Sequence, residues 1–270
     1  MNKYFDTSGI KHFILDEADR MLDMGFYDDI MKIANTLPEK RQNLLFSATM
    51  PIKIRKLANK LLKKPKSISL SISKPAEGIS QYAYMCHDNQ KVNLVRQILK
   101  AKGKDLSHVL IFASSIKSVR EIKKTLNKAG MKSSEMHSGL SQDQREETIR
   151  NFKNKKINIL VATDILSRGI DIKGIELVIN YEVPHDAEDY VHRIGRTARA
   201  DRTGEAITFI NPKQVKNFME IEKLIEKEIP KLKLPNGFEK GPEYKIHSRK
   251  KKRKKNNWRS YKKKNITSLK

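Results

Sequence analysis

Three short runs, His108–Ala113, Ile157–Ala162 and Leu177–Asn180, are apolar almost residue for residue. A segment of four to six residues that is apolar on both of its alternating faces predicts a strand buried on both sides. Strands of that kind belong to parallel sheets with helices covering each face. The stretches between the runs carry helical spacing. Ile116, Val119, Ile122 and Leu126 form one stripe, with Ser115 placed to cap its start and Gly130 its end. Ser141 and Gln144 predict a capping box for a helix through Phe152. Tyr82–Cys86 and Glu205–Ile210 predict two more strands, and Asn89–Ala101, Asp186–Ala200 and Val215–Glu228 three more helices. The expected class is α/β.

The same rhythm occupies the first part of the chain. Phe13–Leu15 and Asn43–Ser47 predict strands, Asp28–Thr36 and Ile52–Leu62 predict helices, and Ser67–Ser73 alternates as a strand does. Lys74–Gly78, with Pro75 and Gly78, reads as a linker. The expected organisation is a partial parallel-sheet lobe at 1–73, the linker at 74–78, a whole lobe at 79–228 and a disordered basic tail at 229–270, order ending around Pro230, Pro235 and Pro242. Net charge is +25, and 13 basic residues lie in 245–270, a segment with no acid, which leaves +12 on the rest. Such excess points to a polyanion, most simply nucleic acid; a merely solubilising surface is the alternative. Cys86 is the one cysteine, so no internal disulfide is possible and a reducing compartment fits. No apolar run approaches the length of a membrane span, so the expected protein is cytoplasmic with no membrane partner.

Chemistry-bearing residues collect behind the predicted strands. Asp16-Glu17-Ala18-Asp19 follows Phe13-Ile14-Leu15 directly. A buried strand ending in Asp-Glu is where stacked α/β enzymes that cleave phosphoanhydrides carry a magnesium-holding acid and a water-orienting acid. Ser47-Ala48-Thr49 closes the strand at Asn43; two small hydroxyls there can bridge a site to a neighbouring element, or simply form a turn. Thr163-Asp164 and then Ser167-Arg168-Gly169-Ile170-Asp171 follow Ile157–Ala162 at the carboxyl edge of the sheet. Gly169 permits close backbone approach to a phosphate, and Asp171 could hold a ribose hydroxyl or serve only as a turn residue. On a helix through Ala200, His192, Arg196 and Arg199 stand at i, i+4 and i+7 and share one face, a clamp for a phosphate or a solvated basic stripe. In the tail, Arg249, Lys250, Lys251, Lys252 and Arg253 begin an unbroken basic run to Lys255, followed by Trp258 and Tyr261 among further cations. Cations fit phosphates and aromatic rings stack on unpaired bases, which suits RNA tethering; a non-specific charged appendage is the alternative.

These segments, together with Gln142-x-x-Arg145 and His192-Arg193-Ile194-Gly195-Arg196-Thr197-Ala198-Arg199, occur in the order and spacing of the DEAD-box RNA helicases. The chain resembles that family over roughly residues 1–228, and looks most like its bacterial RhlE-type branch; Ala198 stands where many members carry glycine. The resemblance implies two RecA-like lobes, ATP and Mg²⁺ as cofactors, and RNA, single-stranded or as a short duplex, as partner. It implies that Asp16 holds the metal and Glu17 orients the attacking water, with Arg196 and Arg199 as arginine fingers. Asp19, Ser47, Thr49 and His192 would couple the nucleotide to strand separation, Gly169 and Asp171 would meet the nucleotide, and Gln142, Arg145 and Thr163 the RNA. No G-x4-G-K-S/T loop occurs in the chain, so the phosphate cradle of such enzymes is missing from it. The 270-residue chain is therefore expected to be a fragment without ATPase activity of its own. A non-catalytic RNA-binding or annealing module, and a DNA-directed motor, are the rival readings.

Overall fold

The computed structural model describes residues 6–69, 78–103, 106, 108–164, 174–197 and 204–245. The chain divides into two compact units, Met1–Glu77 and Gly78–Lys270.

The smaller unit is built on two parallel strands, β1 (His12–Leu15) and β2 (Gln42–Leu45), paired His12 to Gln42 through Leu15 to Leu45. Helices α1 (Ala18–Asp23), α2 (Tyr27–Thr36) and α3 (Ile52–Leu61) pack beside them. The helical stripe predicted at Ile52–Leu62 is the buried one, with Ile54, Leu57, Ala58 and Leu61 all inside. They meet Leu15, Ala18, Ile30 and Ala34 in one core. The other side of the unit stays open: Ile14 and Phe46 are each 54% exposed and Ile52 is 73% exposed. The alternation at Ser67–Ser73 does not yield a strand over 67–69, where Ile68 is exposed; 70–73 lie outside the described residues.

The larger unit carries a seven-stranded parallel sheet. Its strands are β3 (Ile79–Met85), β4 (Val109–Phe112), β5 (Ser133–Met136), β6 (Ile159–Ala162), β7 (Leu177–Asn180), β8 (Gly204–Ile210) and β9 (Lys231–Leu232), in the order β5-β6-β4-β7-β8-β3-β9. Side chains alternate across the sheet, so each apolar run feeds two cores. Val109 and Ile111 pack with Val161, Ile179 and Phe209 beneath α4 (Asp88–Lys102) and α5 (Ile116–Lys128). Leu110 and Phe112 pack on the opposite face with Phe152 of α6 (Gln142–Lys153). A third cluster joins Tyr190 and Ile194 of α7 (Ala187–Ile194) to Phe218 and Ile221 of α8 (Val215–Leu224) over β3 and β8. Full burial of each such side chain is worth about 1.5–3 kcal/mol, which is why runs this short specify the sheet. Cys86, just past β3, is fully buried, and burial pushes its thiol up to about 12.

The caps read from sequence form. Ser115 Oγ accepts the Ser118 amide, and Ser141 and Gln144 exchange bonds of 3.3 and 3.0 Å. Three features depart from the sequence reading, the first of them a strand not predicted there. Strand β5 has the sequence Ser-Ser-Glu-Met, which lacks an apolar run; its pairing to β6, Ser133 with Ile159 through Met136 with Ala162, makes it the sheet's edge. The helix expected over Asp186–Ala200 ends at Ile194. There Thr197 bridges to Ile175 and donates its hydroxyl to the Ile175 carbonyl at 2.7 Å, which pulls the chain into the sheet layer. Order also does not end near Pro230. Strand β9 pairs with Ala83 and Tyr84, Leu234 and Phe238 pack on the α4 core, and Gln90 donates to the Glu239 carbonyl at 2.9 Å. Tyr244 then stacks edge-on to Phe218 and donates to Glu222 at 2.8 Å. Residues 230–245 thus form a strap around β3.

Gly241 is the tight point of that strap. A Cβ there would lie 2.3 Å from the Met85 carbonyl oxygen, a backbone atom that cannot swing away. Replacing Gly241 with Val is expected to lift the strap and lower the stability of the larger unit by about 1–3 kcal/mol, measured by urea unfolding followed by tyrosine fluorescence and far-UV circular dichroism.

Candidate functional site

In the smaller unit the chain leaves β1 with Asp16 exposed and Glu17 half-buried. Glu17 adopts φ 49°, ψ 46°, left-handed backbone that costs a non-glycine residue about 1–2 kcal/mol. Its amide donates to Asp16 Oδ1 at 2.9 Å, and the Ala18 amide donates to the Phe46 carbonyl at 3.0 Å. This turn drives Asp19 under the end of β2. Asp19 Oδ2 accepts both the amide and the hydroxyl of Thr49, at 3.0 and 3.1 Å. Ser47 Oγ accepts the Asp19 amide at 3.2 Å and donates to the Thr49 carbonyl at 2.7 Å. Asp19, Ser47 and Thr49, singled out separately in the sequence, therefore form one closed network directly beneath Asp16 and Glu17.

A strained residue at a strand end is the kind of feature that marks a functional turn. Among the described residues no cluster of three or more His, Cys, Asp or Glu side chains could cage a metal. An exposed single carboxylate such as Asp16 fits Mg²⁺ in the manner in which that ion is usually held, by one or two acids completed by water and substrate phosphates.

In the larger unit the carboxyl ends of the strands converge on Arg193, a residue that the sequence reading passed over. Its side chain is 4% exposed. Nε and Nη2 donate to Asp164 Oδ1 at 2.8 and 2.6 Å, and Nη1 reaches Asn180 Oδ1 at 3.3 Å and the Glu182 carbonyl at 3.4 Å. The guanidinium lies 5.2 Å from the centre of the Phe112 ring. Glu182 in turn accepts the Ser114 amide at 3.0 Å, and burial raises its carboxyl above the usual range against the opposing pull of that amide, Lys91 and Arg193. A second buried cation, Lys91, pairs with Asp88 at 2.8 Å and sits over the Tyr181 ring. Arginine at i+1 from His192 gave no signal in the helical stripe because it points the other way, into the sheet.

His192 is half-buried on the last turn of α7, and Arg196 follows in the turn beyond it. The shared helical face expected for His192, Arg196 and Arg199 is thus not continuous; Arg199 lies outside the described residues. Gln142 is exposed and donates to Glu146 at 2.8 Å, while half-buried Arg145 donates Nη2 to the Ser138 carbonyl at 3.0 Å. Thr163 caps β6, its amide donating to the Met136 carbonyl at 3.1 Å. Gly169, Asp171, the run Arg249, Lys250, Lys251, Lys252 and Arg253, and Trp258 and Tyr261 lie outside the described residues.

The family described as DEAD/DEAH box helicase matches residues 1–57, and the helicase conserved C-terminal domain matches 90–201. The DEAD-box ATP-dependent RNA helicase CshA of Geobacillus kaustophilus is 39% identical over 223 residues, covering 82% of this chain and 47% of that protein. RhpA of Helicobacter pylori is 38% identical, over 83% of this chain and 46% of its own length. Among solved structures, S. cerevisiae Dbp5 bound to RNA and ADP BeF3 matches with a TM-score of 0.75 at 28% identity, over 84% of this chain and 61% of that one. The chain belongs to the DEAD-box helicase family, and its fold is that of RecA-like helicase domains. It spans about half the length of the curated relatives it matches. These relatives carry the CshA and RhpA names, so the finer placement in an RhlE-type branch gains no support from them.

Replacing Arg193 with Ala would remove the cation that Asp164, Asn180 and the Glu182 carbonyl share. Loss of about 3 kcal/mol is expected, at the low end for a broken buried pair because Asp164 is 37% exposed. Arg193→Lys should recover less than half of it, since an ammonium cannot span Asp164, Asn180 and Glu182 at once. Thermal unfolding of the three proteins measures both.

Proposed function

We propose that this chain is part of an ATP-dependent RNA helicase that separates short duplexes locally. The observation that carries the reading is the closed network of Asp19, Ser47 and Thr49 beneath an exposed Asp16 and a strained Glu17, in a chain of this family. Asp16 would hold Mg²⁺, which would supply charge neutralisation to the triphosphate when bound. Glu17, aimed by its left-handed backbone, orients and takes a proton from the attacking water. Asp19 fixes the strand-end hydroxyls, so a shift of Ser47 or Thr49 is felt two residues from Glu17. In the larger unit Arg196 and Arg199 act as arginine fingers, His192 takes part in coupling the nucleotide to strand separation, and Gly169 and Asp171 receive the nucleotide's sugar and phosphate.

Gln142, Arg145 and Thr163 meet the RNA backbone, and the tail from Arg249 to Tyr261 adds a salt-sensitive tether. Relatives and neighbours support this assignment: CshA and RhpA are named ATP-dependent RNA helicases, and the Dbp5 structure holds RNA with a nucleotide analogue. Phosphoryl transfer is catalysed by positioning and charge stabilisation, which is the work that acids and arginines of these kinds can do. A cytoplasmic location is part of the same proposal; among the described residues no helix is long and apolar enough to cross a membrane.

The glycine-rich phosphate loop is not in these 270 residues. The purified chain is therefore expected to show no RNA-stimulated ATP hydrolysis. Fused behind a segment carrying that loop it should gain such activity, and Glu17→Gln should then lower kcat by about 10²–10⁴ with little change in RNA binding. Turnover by the 270-residue chain would refute the expected need for that loop, and full activity of the fusion carrying Glu17→Gln would overturn the role given to Glu17. Strand separation tested on RNA and DNA duplexes distinguishes an RNA helicase from a DNA motor, and annealing without ATP would favour a non-catalytic module.

A further inference from the structure

The turn after β5 is built around a buried histidine that none of the roles above uses. His137 has no solvent-exposed surface. Its Nδ1 accepts the Gly139 amide at 3.1 Å, so in the neutral ring the proton sits on Nε2. Nε2 makes no hydrogen bond among the described residues; Glu135 Oε2 is 3.7 Å away, and Glu135 is itself drawn to Lys123 at 3.2 Å. The Leu140 amide closes the turn on the His137 carbonyl at 3.2 Å. Gly139 packs so closely on the ring that a Cβ would stand 3.2 Å from Nδ1.

Packing alone does not explain a histidine here. Leucine would fill the same space without burying an N–H that has no acceptor within hydrogen-bonding distance among the described residues, which is a costly thing for a fold to retain. What the ring does that leucine cannot is hold the Gly139 amide, and so fix the carbonyl of Ser138 between them. That carbonyl is the acceptor for Arg145 Nη2. Arg145 Nε and Thr163 Oγ1 are likewise buried and without a partner among the described residues. Thr163 lies beside His137, because Met136 pairs with Ala162 and the next residue on each strand is one of these two. Three unsatisfied polar atoms thus gather at the adjoining ends of β5 and β6, around the two residues assigned above to RNA phosphate.

We propose that His137 is a positioning residue for RNA binding: its ring sets the 137–140 turn, and the turn sets the guanidinium of Arg145 against a phosphate. The inference rests on the RNA-contact reading of Arg145. It is tested on the full chain with a fluorescently labelled single-stranded oligouridine, by anisotropy across a range of salt, alongside thermal unfolding. Arg145→Ala and His137→Leu are each expected to weaken binding about tenfold and to flatten the dependence of log K on log salt by about 0.7, the share of one phosphate on a single strand. His137→Asn should stay close to the parent, because an Asn side-chain oxygen can accept the amide two residues on. The His137→Leu, Arg145→Ala pair should bind no worse than Arg145→Ala alone, since both act on one contact. If Arg145→Ala weakens binding while His137→Leu leaves affinity and slope unchanged, the positioning role is wrong and the RNA contact stands. Losses that add in the double variant, or an Asn variant as weak as the Leu one, overturn it too. No effect of Arg145→Ala removes both the RNA contact and the inference.

Discussion

The guanidinium of Arg193 ties together the carboxyl ends of three strands. It meets Phe112 at the end of β4, Asp164 beyond β6, and Asn180 with the Glu182 carbonyl at the end of β7. A buried cation with this many partners is tolerated only if each is in place, because a lone charge away from water is far more costly than any one bond to it. Thr163, proposed above to meet RNA, stands beside Asp164 at one of these ends. That strand end is thus held by a residue that touches no ligand in the proposed mechanism. Parallel strands make this economy possible, since all of them end on one edge of the sheet.

The smaller unit solves the same problem differently. Two strands and three helices offer little core, so the site is stiffened by hydrogen bonds instead of packing. Asp19 receives two donors from Thr49 while Ser47 bonds back to both residues. The left-handed turn at Glu17 is held on one side by Asp16 and on the other by the Ala18 bond to Phe46, just past β2. Strain at that residue is thus supported by a network whose members include the hydroxyls proposed to report on the nucleotide.

Much of the architecture was legible because apolar runs and caps are local. Val109–Phe112 and Ile159–Ala162 could be read as buried strands, and Ser141 with Gln144 as a helix start, without knowing their neighbours. What could not be read depends on partners distant in sequence. Ser133–Met136 is a strand only because β6 offers it an edge. The helix at Ala187 stops early because Thr197 finds Ile175. Residues 230–245 look like the start of a tail, three prolines included, until β3 and α8 are there to receive them. In the site, the acids and hydroxyls of residues 16–49 carried a recognisable pattern. The burial of Arg193, which stands within the His192–Arg199 segment but was given no role, and of His137 did not show there, since a buried polar residue announces itself only by what surrounds it.

Cys86 adds a practical consequence. It is the molecule's lone sulfhydryl, sealed between β3 and α4 and held almost entirely in the protonated form. An alkylating reagent can reach it only when that seam parts. The rate of labelling therefore counts openings of the larger unit and is blind to fraying in the smaller, giving a chemical stopwatch for one half of a protein whose halves need not breathe together.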